Sequence, residues 1–218
     1  MPLIELSHEI RAGMVTLPGL PGPEITPHLT RAASAAKYAP GVTFEIGRIS
    51  LVGNTGTYLD SPAHRYEGAD DLSALALDRL ADLPGLVVRI PEGTTAIDRG
   101  HFVPYDVAGR AVLVHTGWDR HFGTRAYGAG GHPHLTEDAV TWLVHRDVAL
   151  VGIDSVNIDG TATGERPAHT GLLAAGIPII EHLTRLGELP PGGFRFHAVP
   201  PRIAGMVSFP VRAYAVVN

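Results

Sequence analysis

The stretch from Asn54 to His64, NTGTYLDSPAH, crowds chemically capable side chains around a turn glycine. Tyr58, Asp60, Pro62 and His64 follow one another at every second position. A carboxylate and an imidazole this close suit either acid–base work or metal ligation. Pro62 stiffens the chain between them and keeps Ser61 extended, so a rigid loop could hold the two groups at a fixed separation. Asn54 and Tyr58 stand where such a site would take two further ligands. Both are poor ones: an amide oxygen binds weakly, and a phenol must first lose a proton of pKa near ~10. On this stretch alone a plainer reading is equally open, in which Asp60 caps a turn and His64 is an ordinary polar residue.

A second group lies in ERPAHTGLLAAGIPIIEHL. His169 opens a short helical pattern and Glu181 ends a buried one. A carboxylate directly after Ile-Pro-Ile-Ile is costly unless something pairs with it. A metal would do so, and so would Arg166 or Arg185. Trp118, in HTGW, could wall a pocket for a planar ring or serve as a buried structural residue. His132 and His134 flank a proline in the Gly-rich YGAGGHPHL and read as a lid or a surface loop. His197, on a β-like segment, is expected in the core or at the surface.

The elements that must position these groups alternate along the chain. PLIEL, VTFEIGRISLVG, LVVRI, AVLVH, VALVGID, FRFHAVP and FPVRAYAVV read as strands. LTEDAVTWLVHR reads as a helix, with Thr136 as N-cap, acids first and basic residues last. DDLSALALDRLADLPG reads as a short helix capped by Asp71, and AHTGLLAAGIPII as a helix, a stop at Gly176 and a buried strand. Residues 14–41, rich in Pro, Gly and Ala, read as an extended arm or loop within a single domain spanning 1–218. Strands with interleaved helices imply an α/β layered fold with a mixed sheet. Asp60, His115 and Asp154 then fall at strand ends, where function concentrates.

The bulk properties exclude several classes. With 218 residues the chain can bury one sizeable α/β core. Its 17 basic against 22 acidic residues give a net charge of −5, which argues against a nucleic-acid partner. The absence of cysteine rules out disulfides and thiolate zinc sites, so any metal must use His, Asp, Glu, Asn or water. No apolar run approaches a membrane span. The start, MPLIELSHEI, lacks the pattern of a signal peptide, so a cytoplasmic protein is expected. Histidine is abundant, with 12 copies, so only those beside other ligand-type residues carry weight.

NTGTYLDSPAH resembles the cyclase-family signature His-x-Gly-Thr-His-x-Asp-x-Pro-x-His. LSHEIRAGM, HTGW, HPHLTEDAVTWL, VGIDSVNID and AHTGLLAAGIPIIEHL match further family stretches, in family order. The family includes bacterial kynurenine formamidase and isatin hydrolase. The resemblance implies a swivelling β/β/α-type domain with flanking helices. It also implies a hydrolase using one or two divalent metals, zinc or manganese, and a homodimer or homotetramer in which the N-terminal arm reaches a neighbour. Carried over by position, Asp60, His169 and Glu181 would ligate metal and His64 would be the catalytic histidine. The two histidines of the first metal site fall on Asn54 and Tyr58, a departure from the pattern.

The expected activity is hydrolysis of an amide, formamide, lactam or ester in a small molecule by metal-activated water, with His64 as acid–base and one metal at the surviving site. Tyr58 would then donate a hydrogen bond to the oxyanion, and Asn54 would be at most a weak ligand. The departure at 54 and 58 keeps two other readings in play. One is a metal-free cyclase or acid–base enzyme on the same scaffold, and the other a ligand-binding homologue without catalysis.

Overall fold

A computed structural model describes residues 1–217. Its centre is a nine-stranded mixed sheet in the order β1-β13-β11-β5-β7-β9-β10-β4-β12. The strands are β1 (Leu3–Glu5), β4 (Tyr58–Asp60), β5 (Leu83–Arg89), β7 (Ala111–His115), β9 (Leu150–Ile153), β10 (Ile179–Glu181), β11 (Gly192–His197), β12 (Ser208–Pro210) and β13 (Tyr214–Val217). Strands β5, β7, β9 and β10 run parallel and almost wholly apolar, as strands covered on both faces do. The flanking strands pair antiparallel. Two small sheets stand apart, β2 (Glu24–Leu29) with β3 (Ile46–Ser50), and β6 (Ala96–Ile97) with β8 (His134–Leu135). The chain is therefore α/β with a mixed sheet, as its alternating pattern implies.

The sheet separates two cores. On one face helices α2 (Glu137–His145) and α3 (Pro167–Ala174) pack Val140, Leu143, Ala168 and Leu172 against Val112, Val151 and Ile179. In α2 the buried Ala139, Val140 and Leu143 lie on one side of the helix. In α3 Pro167 occupies the first turn, where its missing N–H costs nothing. The helix stops before Gly176, whose φ of 71° ends the turn. On the other face Leu59, Ile180, Phe194 and Phe196 form the second core.

One expectation fails here. DDLSALALDRLADLPG forms turns and one 3-10 turn at Leu77–Arg79, not an α-helix. Asp71 does cap, accepting from the N–H groups of Ser73 and Ala74, but its other oxygen accepts from Gly205 N at 2.6 Å. Leu72 N bonds the Met206 carbonyl at 3.0 Å. These long-range bonds draw the backbone out of the helical path. In the 14–41 region residues 24–29 form β2 and Arg31–Ala35 a short helix, α1. Nearly all of the β2–β3 hairpin is exposed, including Ile25, Ile46 and Ile49.

Candidate metal centre

Strand register builds the site. Tyr58 and Asp60 alternate with Leu59, so both project to the face opposite the second core. In the β4–β10 pair Tyr58 stands opposite Glu181, and in the β4–β12 pair Asp60 stands opposite Ser208. Directly opposed side chains on one face meet. The Tyr58 hydroxyl donates to Glu181 Oε2, and Ser208 Oγ donates to Asp60 Oδ1. Gly53, just before the motif, lets the loop pass close to β12, since a Cβ there would press on the Ser208 carbonyl, with the carbonyl carbon at 3.1 Å. His64 arrives on the 3-10 turn that Pro62 opens, and its Nδ1 lies 2.9 Å from Ser208 Oγ.

The first turn of α3 carries His169 in over Asp60 and Glu181. Its Nε2 lies 3.7 Å from Asp60 Oδ2 and 4.0 Å from Glu181 Oε1. Asp60, His64 and His169 offer ligand atoms all within 4.8 Å of one another, and they are the one such group of three among the described residues. Glu181 is not in that group, and both its oxygens are engaged, Oε1 with Ile158 N at 2.6 Å and Oε2 with Tyr58. Neither candidate arginine reaches it. Arg185 pairs with Glu188 at 2.7 Å, and Arg166 donates to the carbonyls of Gly160, Thr163 and Glu165.

The electrostatics favour a cation. Asp60, Asp159 and Glu181 are buried around His169. Burial disfavours a charged His169, but the hydrogen bond to Asp159 and the nearby carboxylates of Asp60 and Glu181 outweigh it and raise its pKa. Burial, with Asp60 alongside, raises Glu181. Even with His169 protonated, three carboxylates face one positive charge. Asp60 Oδ2 is fully buried and has no hydrogen-bond partner, a costly arrangement unless a cation meets it. Asp60, His64 and His169, with Glu181 Oε1 4.0 Å from His169 Nε2, therefore form a set of residues that could hold a divalent metal. Positions 54 and 58 do not extend it. The Tyr58 pKa is pushed well up by burial and by Glu181 and Asp60, with a smaller opposing effect from Asn54, and the phenol proton is held by Glu181.

Three residues of the site were not singled out from the sequence. Asp159, fully buried, bonds His169 Nδ1 at 2.6 Å. Ser208 links Asp60 to His64. His182, at φ 58°, packs its ring 5.1 Å from that of Tyr58 and bonds the Tyr127 hydroxyl at 2.7 Å. A left-handed φ at a non-glycine residue is not visible in a sequence. The expectation of a surface loop at His132 also fails, because His132 is buried and bonds the Asp159 carbonyl at 2.9 Å. Other candidates sit elsewhere. His197 stacks on Tyr214. Asp154 accepts from Thr116 and Gly117, fixing the turn that carries Trp118. Trp118 donates its ring N–H to the Tyr127 carbonyl at 3.1 Å.

The sequence profile of the Putative cyclase family matches residues 4–160. The chain belongs to this family. Relatives extend along nearly all of it. It is 26% identical over 225 residues to Cyclase-like protein 2 of Oryza sativa subsp. japonica, covering 98% of this chain and 79% of the relative. It is also 26% identical over 223 residues to the kynurenine formamidase of Salinibacter ruber, covering 98% of this chain and 96% of the relative. Among solved structures, a potential metal-dependent hydrolase with cyclase activity aligns at TM-score 0.80 and 25% identity, over 98% of this chain and 96% of its own. An isatin hydrolase bound to the product analogue thioisatinate shares the fold at TM-score 0.83 and 21% identity, over 99% and 92% of the two chains. No helix among the described residues is long and apolar enough to cross a membrane.

Proposed function

We propose that this cyclase-family chain is a metal-dependent hydrolase of a C–N bond in a small amide, formamide or lactam, or of an ester. Asp60, His169 and Glu181 would hold one divalent cation, zinc or manganese. The observation that carries this reading is the buried, unpartnered Asp60 Oδ2 facing His169 Nε2 at 3.7 Å. Three protein ligands leave coordination positions open, the pattern of a catalytic rather than a structural metal. An oxygen-rich set accepts manganese as readily as zinc. A bound cation supplies Lewis acidity, which acidifies a water and polarises a carbonyl.

The chain's own residues would handle the proton. Asp60 Oδ1 can only accept, so the single Ser208 proton goes to it. His64 Nδ1, 2.9 Å from the same Ser208 oxygen, must then be the donor. This fixes the tautomer of neutral His64 and leaves its Nε2 lone pair free. A base so prepared takes a proton from the nucleophile and returns it to the leaving group. The His64 side chain is 30% exposed, against 0% for Asp60, so it is the member of the group that substrate reaches. Tyr58 gives its proton to Glu181, so its contribution would run through that carboxylate.

The relatives' names set the probes, a formamide and a cyclic amide. Metal content of tag-free protein would be measured after dialysis and after reconstitution with Mn²⁺ or Zn²⁺, alongside hydrolysis of N-formylkynurenine, isatin and simple esters. We expect about one tightly held ion per chain, lost in Asp60→Ala and Glu181→Ala, and activity that disappears with chelator and returns with metal. Full activity after exhaustive chelation would favour metal-free acid–base chemistry on this scaffold. Saturable binding without turnover would favour a non-catalytic role.

A further inference from the structure

One fully buried side chain of the site lies outside the proposed ligand set. Asp159 lies two positions before the Thr-rich loop that leads into α3 and has no exposed surface. Its two oxygens do different work. Oδ1 accepts from Ala168 N at 2.6 Å, satisfying a free N–H of the first turn of α3. Oδ2 accepts from His169 N at 3.1 Å and meets His169 Nδ1 at 2.6 Å. The Asp159 backbone is held in turn, since its carbonyl accepts from His132 Nε2 at 2.9 Å.

A carboxylate that already receives two backbone N–H groups acts as an acceptor. The His169 proton must therefore sit on Nδ1. That leaves Nε2 as the atom turned to Asp60 Oδ2 and Glu181 Oε1. We propose that Asp159 is a positioning residue that locks the ring angle and tautomer of His169, so that Nε2 presents its lone pair to a cation between the two carboxylates. This rests on the metal-centre reading above. An imidazole ligand is routinely oriented by what its other nitrogen bonds, and loss of such a partner weakens metal binding by about 10–100-fold.

Asp159→Asn separates this role from scaffolding. Its carbonyl oxygen can still accept from Ala168, so one of the two bonds to the helix start survives. Its NH₂ group cannot accept from Nδ1, and the neutral ring is driven to carry its proton on Nε2, facing the carboxylates. Asp159→Ala removes both functions. The experiment titrates Mn²⁺ into metal-free wild type, Asp159→Asn and Asp159→Ala, with thermal unfolding of each. Nitrogen-15 histidine spectra of the metal-free and Zn²⁺-loaded forms follow the His169 Nδ1 proton.

The wild type should show a downfield, slowly exchanging Nδ1 proton, absent in Asp159→Asn. Asp159→Asn should stay folded, with an unfolding temperature between those of wild type and Asp159→Ala, yet bind Mn²⁺ about 100-fold more weakly. Asp159→Ala should lose both affinity and thermal stability. Wild-type Mn²⁺ affinity in a folded Asp159→Asn would overturn the proposal, as would a wild-type His169 without an Nδ1 proton. A wild type that takes up no metal would sink the hydrolase reading instead, and the Nδ1 signal would still decide whether Asp159 orients the ring.

Discussion

At the scale of single residues, the site works through the direction in which each proton points. Ser208 gives its proton to Asp60 and receives one from His64, so two roles meet at one oxygen. His64→Ala should lower kcat by about 10²–10⁴-fold, the usual worth of a positioned acid–base group, and leave metal content unchanged. Full activity in His64→Ala would remove it from the mechanism. Ser208→Ala takes away the acceptor for His64 Nδ1 but no ligand. Its kcat should drop about 10-fold with metal still bound, and measuring metal and turnover on one preparation separates the two effects. Tyr58 tests the opposite case. Tyr58→Phe keeps the ring and removes the proton held by Glu181, so it should weaken metal retention about 10-fold while the protein stays folded. Unchanged metal affinity would make Tyr58 a space-filling residue.

At the scale of elements, the candidate site residues are more legible in the sequence than what holds them. Asp60, His64, His169 and Glu181 stood out by type and by their place beside apolar runs. Asp159 did not, because its role arises from a contact with His169 across a loop. The strands of the sheet were legible from their apolar runs, and α2 from its capping order and amphipathic face. The helix expected after Asp71 was not formed, since bonds to Met206 and Gly205 outweigh local propensity there. Close packing between elements is equally invisible in advance, and Gly53 gives a test of it. A Cβ at this position would strike the Ser208 carbonyl, so Gly53→Ala should cost about 1–3 kcal/mol, lower the unfolding temperature and disturb the Asp60–Ser208 pair. The buried His182 and the half-buried His8 respond to acid in the same region. Burial lowers His182 to about 3 and His8 to about 4, the latter against the charge of Asp119. Both are neutral in the fold and take up protons on unfolding at higher pH. Their contribution to stability is therefore full above the unfolded value near 6.5 and falls as pH drops through the window from about 6.5 towards 4, against the opposite trend of Asp154 and Glu181, which burial raises to about 7. Denaturant titrations of wild type and His8→Asn at pH 7.5 and pH 5 isolate it, and the wild type should lose more stability than the variant on going to pH 5, relative to pH 7.5. An equal change in the two proteins would refute the assignment.

At the scale of the whole molecule, the proposed metal centre is enclosed by the chain itself, but the β2–β3 hairpin is not covered by anything. Ile25, Ile46 and Ile49 on its strands are about half exposed, at 49%, 51% and 51%, and Phe44 beside them at 52%. Tyr38 and Val42, in the segment joining α1 to β3, are exposed at 47% and 41%. A two-stranded ribbon is marginal in water by itself, and an exposed apolar patch of this kind marks an interaction surface. We propose that the occupant is a second copy of the chain, in a homodimer or homotetramer. Light scattering on the purified protein should give an assembly of at least two chains at micromolar concentration. The double substitution Ile46→Asp and Ile49→Asp places charge on the exposed ribbon and touches neither core, so it should yield monomers with an unchanged β-rich circular dichroism spectrum. If those monomers still bind metal with wild-type affinity, the arm serves assembly alone. If affinity falls with dissociation, the partner's arm supports the segment that leads into β4 and Asp60. A wild type that runs as a monomer at all concentrations would show that the hairpin's apolar surface has some other occupant.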